Sequence, residues 1–457
     1  NTTHTTLWSM FGTSGIRGRF GEEVTAGTAL AVGRAIASEG HDHVVVGRDP
    51  RETGPLLVEA LSAGLRECGA NVARLGEVST PTVARSVGWY DADLGVSVTA
   101  SHNPPEDNGL KLWHPDGSAV VGDDQTAIAD RIRHADYAFA SWDDVGSRHR
   151  FGGARGRHVD AIAEAVEVAP PLEVVVDAGH GTGELTAAAL RRLGCSVTTL
   201  NGVAEGSFPA RESEPTADSC RTLRQVVQGT DAVLGIAHDG DADRMLAVTE
   251  TGSFVPGDTL LALFARRAAS PATRVAVPID ASMAVKDELA AVGADVTYTR
   301  VGDGYVARRA AEAGVVFGGE PSGAWIWPDE TRAPDGPLAA AKLASMVATD
   351  GSLDAMVADV NTVPISRQSV ECEQKEAVVE RIVEAMPEND ERVTAIDGAR
   401  VDVDGGWFLI RASGTQPLVR ITAEAREHDR MVSLLERAEG LVTEAIETGS
   451  VDRRPVE

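Results

Sequence analysis

Lysine is scarce in this chain of 457 residues: only four occur, and Lys and Arg together number 42 against 69 Asp and Glu. The formal net charge is therefore −27, which argues against nucleic acid or an anionic membrane surface as a partner. Apolar runs long enough to span a membrane are also missing. We expect a soluble, folded protein, and the sequence predicts no particular oligomeric state.

Paired cysteines are absent, since no two of the four form a Cys-x-x-Cys motif: Cys68, Cys195, Cys220 and Cys372. This spacing predicts neither a disulfide framework nor a zinc site. Reduced thiols and a cytoplasmic location are the expectation. Residues 1–9 lack the positive and apolar segments of a secretory signal, and Met10 is a candidate for the true start.

The acidic excess is spread along the chain instead of forming a tail, which assigns it to the folded surface. Together with the near-replacement of lysine by arginine, it favours a cytoplasm of very high salt, where self-repulsion is screened. Solubility alone is the alternative explanation. Full folding and activity in dilute buffer would contradict the high-salt hypothesis.

A weak internal repeat divides the first three quarters of the chain. Each copy has a valine-rich strand, a helical stretch, a glycine that ends the helix, and a second strand. The copies begin at 44–46, 174–176 and 275–277. Since about 150 residues per domain is usual, we expect three related α/β domains with mixed, mainly parallel sheets, over 1–150, 151–250 and 251–361.

The remaining residues, 362–457, show a different pattern. Helical spacing over 375–386 precedes strand-like runs at 399–403, 407–410 and 418–423, and Asp404-Gly405-Gly406 is a hairpin signal between the first two runs. A final helix has six apolar residues on one face: Met431, Leu434, Leu435, Ala438, Leu441 and Val442. We expect a fourth, α+β domain with an antiparallel sheet.

The first segment with chemical interest is Thr99-Ala100-Ser101-His102-Asn103-Pro104-Pro105, after a predicted strand at 94–98. A serine between a strand end and a rigid Pro-Pro turn can present its hydroxyl at the mouth of a sheet. An ordinary turn is the alternative from these residues alone. An acyl-transfer serine lacks support because the chain has no G-x-S-x-G elbow.

Three carboxylates occupy alternate positions in Asp239-Gly240-Asp241-Ala242-Asp243-Arg244. Carboxylates this close repel each other unless a cation lies among them, and Mg²⁺ shared with a phosphoryl oxygen suits their charge. An EF-hand is a weaker reading, because Arg244 replaces the required glycine although Glu250 falls at the twelfth position. A haloacid-dehalogenase-type phosphatase with Asp239 as nucleophile also competes, yet Asp243 stands where that pattern usually has Thr or Val.

Two further loops offer groups for a small ligand. Gly319-Glu320-Pro321-Ser322-Gly323 has a carboxylate and a hydroxyl on a stiff turn, which suits sugar hydroxyls. Arg411-Ala412-Ser413-Gly414-Thr415-Gln416-Pro417 combines Arg, hydroxyls and backbone N–H groups, which is typical of an anion-binding concavity. A plain turn is the alternative for the second loop. The glycine-rich loops at 12–18 and 179–183 match no nucleotide-binding pattern.

In their order along the chain, these segments resemble the α-D-phosphohexomutase superfamily over essentially the whole length from Met10. Five of them are most similar to archaeal phosphoglucosamine mutases: FGTSGIRG at 11–18, TASHNP at 99–104, DGDADR at 239–244, GEPSG at 319–323 and RASGTQP at 411–417. The resemblance implies four domains around a central cleft and an enzyme that interconverts hexose 6-phosphate and hexose 1-phosphate. Glucosamine 6-phosphate is the first choice of substrate, ahead of mannose and glucose phosphates, and a metal-dependent sugar phosphatase is a more remote alternative.

The resemblance also implies a role for each motif. The catalytic residues would be Ser101 as phosphoserine, Lys111 as general acid or base, and His102 and Arg17 beside the reacting centre. One Mg²⁺ would be bound by Ser101, Asp239, Asp241 and Asp243. The sugar phosphate would be bound by Arg244, which would also help to hold the Ser101 loop, and by Gly302, Asp303, Glu320, Ser322, Arg411, Ser413, Gly414 and Thr415. A hexose 1,6-bisphosphate would be the intermediate and activator, and the last domain would open and close.

Two positions depart from the family pattern. Ala324 stands where many relatives carry His, and Gln416 where Glu is common. Both lie in loops that tune sugar recognition. The departures leave the predicted phosphoryl-transfer residues in place but weaken the assignment of one particular sugar.

Overall fold

The computed structural model of the protein describes residues 11–12, 15–386, 392–414 and 417–448. Its strands form four sheets that follow one another along the chain, and we call the units built on them domains I to IV. No helix in these ranges has both the length and the apolar character needed to cross a membrane. The four cysteines are free thiols, as their spacing predicts.

Domain I is built on a seven-stranded sheet flanked by helices. Its elements are β1 (Phe11–Gly12), β2 (Gly15–Arg19), α1 (Ala26–Ser38), β3 (His43–Arg48), α2 (Gly54–Glu67), β4 (Asn71–Glu77), α3 (Thr80–Trp89), β5 (Leu94–Val98), β6 (Asp107–Trp113), α4 (Asp123–His134) and β7 (Arg148–Arg150). The strand order is β1-β2-β6-β5-β3-β4-β7. β3 runs parallel to β4 and β5, and β6 pairs antiparallel with β5.

Domains II and III each have a four-stranded sheet. The elements of domain II are α5 (Ala154–Ala165), β8 (Glu173–Asp177), α6 (Glu184–Arg192), β9 (Ser196–Leu200), α7 (Arg221–Gln228), β10 (Leu234–His238) and β11 (Met245–Thr249). Those of domain III are α8 (Gly257–Ala268), β12 (Arg274–Pro278), α9 (Met283–Ala291), β13 (Asp295–Thr299), α10 (Asp303–Ala310), β14 (Val315–Gly319), β15 (Trp325–Ile326), α11 (Gly336–Asp350) and α12 (Leu353–Asp359).

The predicted repeat is confirmed by strand pairing. The orders β6-β5-β3-β4, β11-β10-β8-β9 and β15-β14-β12-β13 are the same arrangement, with one antiparallel pair at the edge and parallel pairs elsewhere. After α2, α6 and α9 the chain turns at a residue in the left-handed region, with φ of 94°, 92° and 73° at Gly69, Gly194 and Gly293. Glycine adopts this conformation without strain, which explains its place in every copy.

Domain IV has an all-antiparallel sheet, as predicted. Its elements are β16 (Ile365–Glu371), α13 (Lys375–Ala385), β17 (Val393–Thr394), β18 (Ala399–Val403), β19 (Gly406–Ala412), β20 (Leu418–Ala425) and α14 (His428–Thr448). The strand order is β16-β20-β19-β18-β17. The six apolar residues predicted on one face of the last helix are all buried against this sheet.

The apolar cores do not follow the predicted domain limits at every point. Domains I and IV have cores of their own, but one continuous cluster of buried side chains extends from Ile162 to Val360 and includes residues of both domain II and domain III. Helix α11, which lies in the predicted third domain, packs on α6, β10 and β11 of domain II. Domains II and III are therefore one packed body, and the limits at 150, 250 and 361 remain predictions.

A buried histidine links domains I, II and III. His158 on α5 is 0% exposed, and its Nδ1 lies 2.8 Å from the Thr82 hydroxyl on α3. Its Nε2 lies 2.9 Å from Oδ2 of Asp335, the residue that caps the N-terminus of α11. Arg85 of α3 donates to the same Asp335 oxygen at 2.8 Å. Since every partner is buried or nearly so, these contacts fix the relative position of three helices.

Domain IV docks on domain III through another buried acid. Glu424 is 0% exposed and accepts hydrogen bonds from the Met283 backbone N–H and the Trp407 indole, both at 2.7 Å, and from the Ser282 hydroxyl. Ser282 caps helix α9. One carboxylate thus joins the start of a domain III helix to the sheet of domain IV.

We expect His158→Ala to weaken the junction of the three domains. Loss of the ring removes one hydrogen bond from the buried Thr82 hydroxyl and one from the buried Asp335 carboxylate, at a cost of about 2 kcal/mol. Thermal unfolding followed by circular dichroism should show a lower midpoint, and His149→Ala, at an exposed position of β7, is the control. Equal midpoints for the two variants would contradict the proposed junction.

Candidate active site

The Ser101 loop follows β5 and lies against domain II. Ser101 is 1% exposed, and its hydroxyl donates to Oδ2 of Asp239 at 2.5 Å, across 138 residues of sequence. Its backbone is in the left-handed region, with φ of 55°. This conformation is costly for a residue with a side chain, by about 1–2 kcal/mol, so the surrounding structure must impose it.

Three buried aspartates form a compact cluster in the loop between β10 and β11. Asp239, Asp241 and Asp243 are 1%, 1% and 3% exposed, and one oxygen from each lies within 4.8 Å of the others. Oδ1 of Asp241 and Oδ1 of Asp243 are buried without a hydrogen-bond partner. Carboxylate oxygens that are buried, close together and unpartnered fit a divalent cation such as Mg²⁺.

The EF-hand alternative is wrong. The loop joins two antiparallel strands instead of two helices. Glu250, which would be the twelfth ligand, is instead hydrogen-bonded by the backbone N–H of Asp354 at 3.2 Å and by the Ser352 hydroxyl, at the start of α12.

Lys111 on β6 brings a positive charge from domain I to this cluster. It is 3% exposed, and its Nζ donates to Oδ2 of Asp241 at 3.0 Å and to Asp243. Burial alone would lower the pKa of Lys111, but the two carboxylates outweigh burial and raise that pKa. For Asp239, burial together with Asp241 and Asp243 outweighs the opposing effect of Arg244 and raises the pKa well above the usual value.

Arg17 and His102 border the same centre. Arg17 lies on β2, and its Nε is buried without a hydrogen-bond partner. His102 Nδ1 lies 3.5 Å from the Ser101 hydroxyl oxygen. The pKa of His102 is far below its usual range because of Arg244 first, then burial, then Arg17, and the ring is therefore neutral. His102 thus lies beside the Ser101 hydroxyl, and Arg17 is near enough to His102 and Lys111 to lower the pKa of each.

Arg244 links the predicted metal-binding loop to domain III. Its backbone pairs with Ala324, and its N–H donates to Oδ1 of Asp239 at 3.3 Å. Its Nη1 lies 3.7 Å from Oε1 of Glu214. The departure at Ala324 therefore lies where the predicted sugar loop meets the predicted metal loop.

The predicted sugar-binding residues come together around Glu320. Its Oε1 accepts from the backbone N–H of Gly302 at 2.7 Å, and its Oε2 accepts from the Ser322 hydroxyl at 3.2 Å. Asp303, the first residue of α10, follows Gly302 directly. Burial, with a smaller contribution from Asp303, raises the pKa of Glu320 to about 7. Glu320 is thus a buried carboxyl that can gain or lose a proton near neutral pH.

The fourth loop lies at the end of β19 in domain IV. Arg411 Nη2 lies 3.7 Å from Oδ2 of Asp280, and Lys375 Nζ donates to the Ser413 carbonyl at 2.6 Å. Gly414 follows, and a Cβ added to it would meet no other atom within 4 Å, so its backbone is open to a ligand. Thr415 and Gln416 lie outside the described residues, and the role of Thr415 stays a prediction.

Models of known protein families match this chain over most of its length. Models for phosphoglucomutase/phosphomannomutase match at four places: alpha/beta/alpha domain I at residues 9–139, domain II at 156–252, domain III at 256–363 and the C-terminal domain at 367–440. The chain belongs to the phosphoglucomutase/phosphomannomutase family.

Individual members of this family are similar over nearly the whole chain. Proteins named "Probable phosphoglucosamine mutase" from Methanosarcina acetivorans and Methanococcoides burtonii are 43% and 42% identical over 440 residues, covering 96% of this chain and 99% of each relative. Among solved structures, a phosphoglucomutase/phosphomannomutase family protein from Burkholderia thailandensis has a TM-score of 0.86 at 29% identity. The alignment covers 97% of this chain and 98% of that one.

Three polar residues of this phosphoglucomutase/phosphomannomutase family member lie at or beside the site and were not predicted from the sequence. Thr80 donates from its hydroxyl to Oδ2 of Asp241 at 2.6 Å. The Ser213 hydroxyl donates to the Ser101 carbonyl and accepts from the Gly240 N–H, both at 3.0 Å. Arg420 is the cross-strand partner of Arg411. Of these, only Arg420 could have been found from the sequence, by aligning β19 with β20 through the predicted turn.

The raised pKa of Glu320 predicts a pH dependence of stability. Between 4.5, the ordinary value, and about 7, the folded state keeps a proton that the unfolded state has lost, so stability falls as pH rises. Glu320→Gln removes this titration. We therefore expect the thermal midpoint of E320Q, relative to the unaltered protein, to rise between about pH 5 and about pH 8. Glu330→Gln, at an exposed carboxylate, is the control, and a pH-independent difference for E320Q would count against the raised pKa.

Proposed function

We propose that the protein is a phosphohexomutase that interconverts hexose 6-phosphate and hexose 1-phosphate. The observation that carries this proposal is the contact between the Ser101 hydroxyl and Asp239, at the edge of three buried carboxylates that also contact Lys111. A nucleophilic hydroxyl, a divalent-cation site and a proton-transferring amine are the groups that phosphoryl transfer between hydroxyls needs. Membership of the phosphoglucomutase/phosphomannomutase family agrees with this chemistry.

In the proposed reaction, Ser101 carries the phosphoryl group. The P–O bond to the Ser101 oxygen breaks as a P–O bond forms to the free hydroxyl of a hexose phosphate, and the product is a hexose 1,6-bisphosphate. Lys111, which its raised pKa keeps as an ammonium group, donates a proton to the departing Ser101 oxygen and takes up the proton of the attacking hydroxyl, an exchange that arginine cannot perform. The bisphosphate then turns over, and its other phosphoryl group returns to Ser101.

Mg²⁺ is the proposed cofactor, bound by Asp239, Asp241, Asp243 and Ser101. When bound, it would neutralise charge on the transferring phosphoryl group. The chain's own contribution is to hold three carboxylates close together and to exclude water from them. Arg17 and Arg244 add positive charge beside the same point, and neutral His102 borders the Ser101 hydroxyl without adding charge.

Sugar and second phosphate are proposed to bind on domains III and IV. Glu320 and Ser322 would accept and donate hydrogen bonds to the sugar hydroxyls, beside Gly302 and Asp303. The phosphate that is not reacting would be held by Arg411, Ser413, Gly414 and Thr415, with Arg420 alongside. Each phosphate of the bisphosphate must bind here in turn. This site therefore has to recognise a phosphate group at either end of the sugar, and it has to be separate from Ser101.

Glucosamine 6-phosphate is the proposed substrate, supported by the names of the archaeal relatives and by the form of the loops. Mannose and glucose phosphates are the competing substrates, since Ala324 stands where many relatives have His. We expect kcat/KM to be highest for glucosamine 1-phosphate when it is compared with mannose 1-phosphate and glucose 1-phosphate in the presence of Mg²⁺. A higher value for either competitor would reassign the sugar but keep the reaction.

The cytoplasm is the proposed location, because all four thiols are free.

Replacement of the nucleophile should abolish turnover. Ser101→Ala removes the oxygen that carries the phosphoryl group, and we expect at least a thousandfold loss of kcat with all three hexose phosphates. Intact-mass measurement should find one phosphate on the unaltered protein and none on S101A. Ser118→Ala, at a half-buried serine of the same domain that contacts Asp116, should keep both activity and phosphate.

A phosphatase mechanism predicts a different result in the same experiment. Asp239 would then carry the phosphoryl group as an aspartyl phosphate that hydroxylamine cleaves, and free phosphate would be the product. Retention of hydroxylamine-sensitive phosphate on S101A would contradict the mutase proposal.

Mg²⁺ should stabilise the protein through the aspartate cluster. A ligand that binds only the folded state stabilises it by about 2.7 kcal/mol at a hundredfold excess over Kd. We expect the thermal midpoint to rise with MgCl₂ relative to EDTA, and this rise to disappear in Asp243→Asn. Asp329→Asn, which removes an exposed charge, should respond like the unaltered protein. An undiminished response of D243N would place the cation elsewhere.

A further inference from the structure

A buried arginine holds the loop that carries Ser101. Arg51 lies between β3 and α2, is 0% exposed, and uses its whole guanidinium group. Nη2 donates to the carbonyls of Ser101 at 2.8 Å and Asn103 at 2.7 Å, and Nη1 donates to the carbonyls of Asp107 at 2.8 Å and Pro104. One planar group thus binds four backbone carbonyls of a seven-residue segment.

The backbone N–H of Ser101 is held indirectly by Asp49, the carboxylate that pairs with Arg51. Arg51 Nε donates to Oδ2 of Asp49 at 3.0 Å, and the same carboxylate oxygen accepts from the Thr99 hydroxyl at 2.6 Å. The Thr99 hydroxyl oxygen in turn accepts from the Ser101 N–H at 2.8 Å. Both peptide groups of Ser101 are therefore tied to a single buried Asp49–Arg51 pair.

These hydrogen bonds hold the Ser101 backbone in a conformation that it would not adopt by itself. Ser101 has a φ of 55°, which a residue with a side chain adopts only when its surroundings impose it. Phosphoryl transfer depends on the position of the serine oxygen, because a displacement of about 1 Å can cost a hundredfold in rate. Burial keeps Arg51 from touching a substrate, and the Phe208 ring from domain II covers its guanidinium at 5.0 Å.

We propose that Arg51 is a positioning residue for catalysis: it sets the backbone of Ser101 through the carbonyls of the loop and never contacts the sugar phosphate. The proposal rests on the proposed function, in which Ser101 carries the phosphoryl group. It separates Arg51 from Arg17 and Arg244, which lie beside the reacting groups themselves. The proposal requires the several N–H donors of the planar guanidinium group, which point in two directions, and not only its positive charge.

Arg51→Lys tests this distinction, because Lys keeps the charge that Asp49 needs but cannot bind four carbonyls. With glucosamine 1-phosphate, glucose 1,6-bisphosphate and Mg²⁺, we expect kcat of R51K to fall about 10- to 100-fold while KM changes less than about threefold. Thr99→Val, which removes the acceptor of the Ser101 N–H but keeps the shape of the side chain, should show the same pattern. Arg74→Lys is the control, since Arg74 binds Glu59 and Ser62 in the same domain.

Hydrogen–deuterium exchange gives a second readout that does not need turnover. We expect faster exchange in peptides covering 99–108 of R51K and unchanged exchange in the rest of domain I. A purely structural role would instead lower the fraction of folded protein and speed exchange throughout the domain, with kcat per phosphorylated Ser101 unchanged.

The two proposals fail in different ways. If the unaltered protein turns over none of the three hexose phosphates, the proposed function is wrong, and the exchange pattern still decides whether Arg51 holds the loop. If the unaltered protein is active but R51K and T99V keep its kcat, or if exchange at 99–108 does not change, the positioning role of Arg51 is overturned.

Discussion

Three carboxylates buried within 4.8 Å of one another are the constraint on which the centre of this molecule depends. Charges removed from water require partners, and domain II does not supply them alone. Lys111, Thr80 and the Ser101 hydroxyl reach the cluster from domain I. The electrostatic requirement of one loop thus fixes how two domains meet, and the same contacts bring the proposed nucleophile to the oxygens proposed to bind Mg²⁺.

The net negative charge of the whole chain opposes the binding of a negatively charged substrate. A protein with a net charge of −27 must attract a sugar phosphate that is itself negative. The solution is local, because the positive groups of Lys111, Arg17 and Arg244 lie around the site. Lys111 is one of only four lysines, which agrees with a role that needs a transferable proton. The high-salt explanation for the acidic surface stays a prediction.

The candidate site is divided between a packed body made of domains I to III and the separate domain IV. The shared core of domains II and III and the His158 junction hold the Ser101 loop, the aspartates and Glu320 in one packed body. Domain IV has a separate core and, among the described contacts of its loop, the Arg411 guanidinium faces Asp280 of domain III. A proposed phosphate-binding loop on a domain with its own core, beside the aspartate cluster, suits the proposed bisphosphate intermediate, which has to bind in two orientations.

The sequence by itself predicted most of the elements and most of the residues that the structure brings together at the candidate site. Strand β5, a short and mostly apolar run with every residue buried, and the apolar helix face of α14 were predicted correctly, because burial of a short run or of one helix face leaves a local pattern in the sequence. Strand β16 was missed because most of its residues are exposed or half-exposed, which leaves no apolar pattern. Only the tertiary structure decided the supports of the site, namely Arg51, Ser213 and the junction at His158. Hydrogen bonds and charges act through space between residues 50 to 177 positions apart, and no local period in a sequence encodes such contacts.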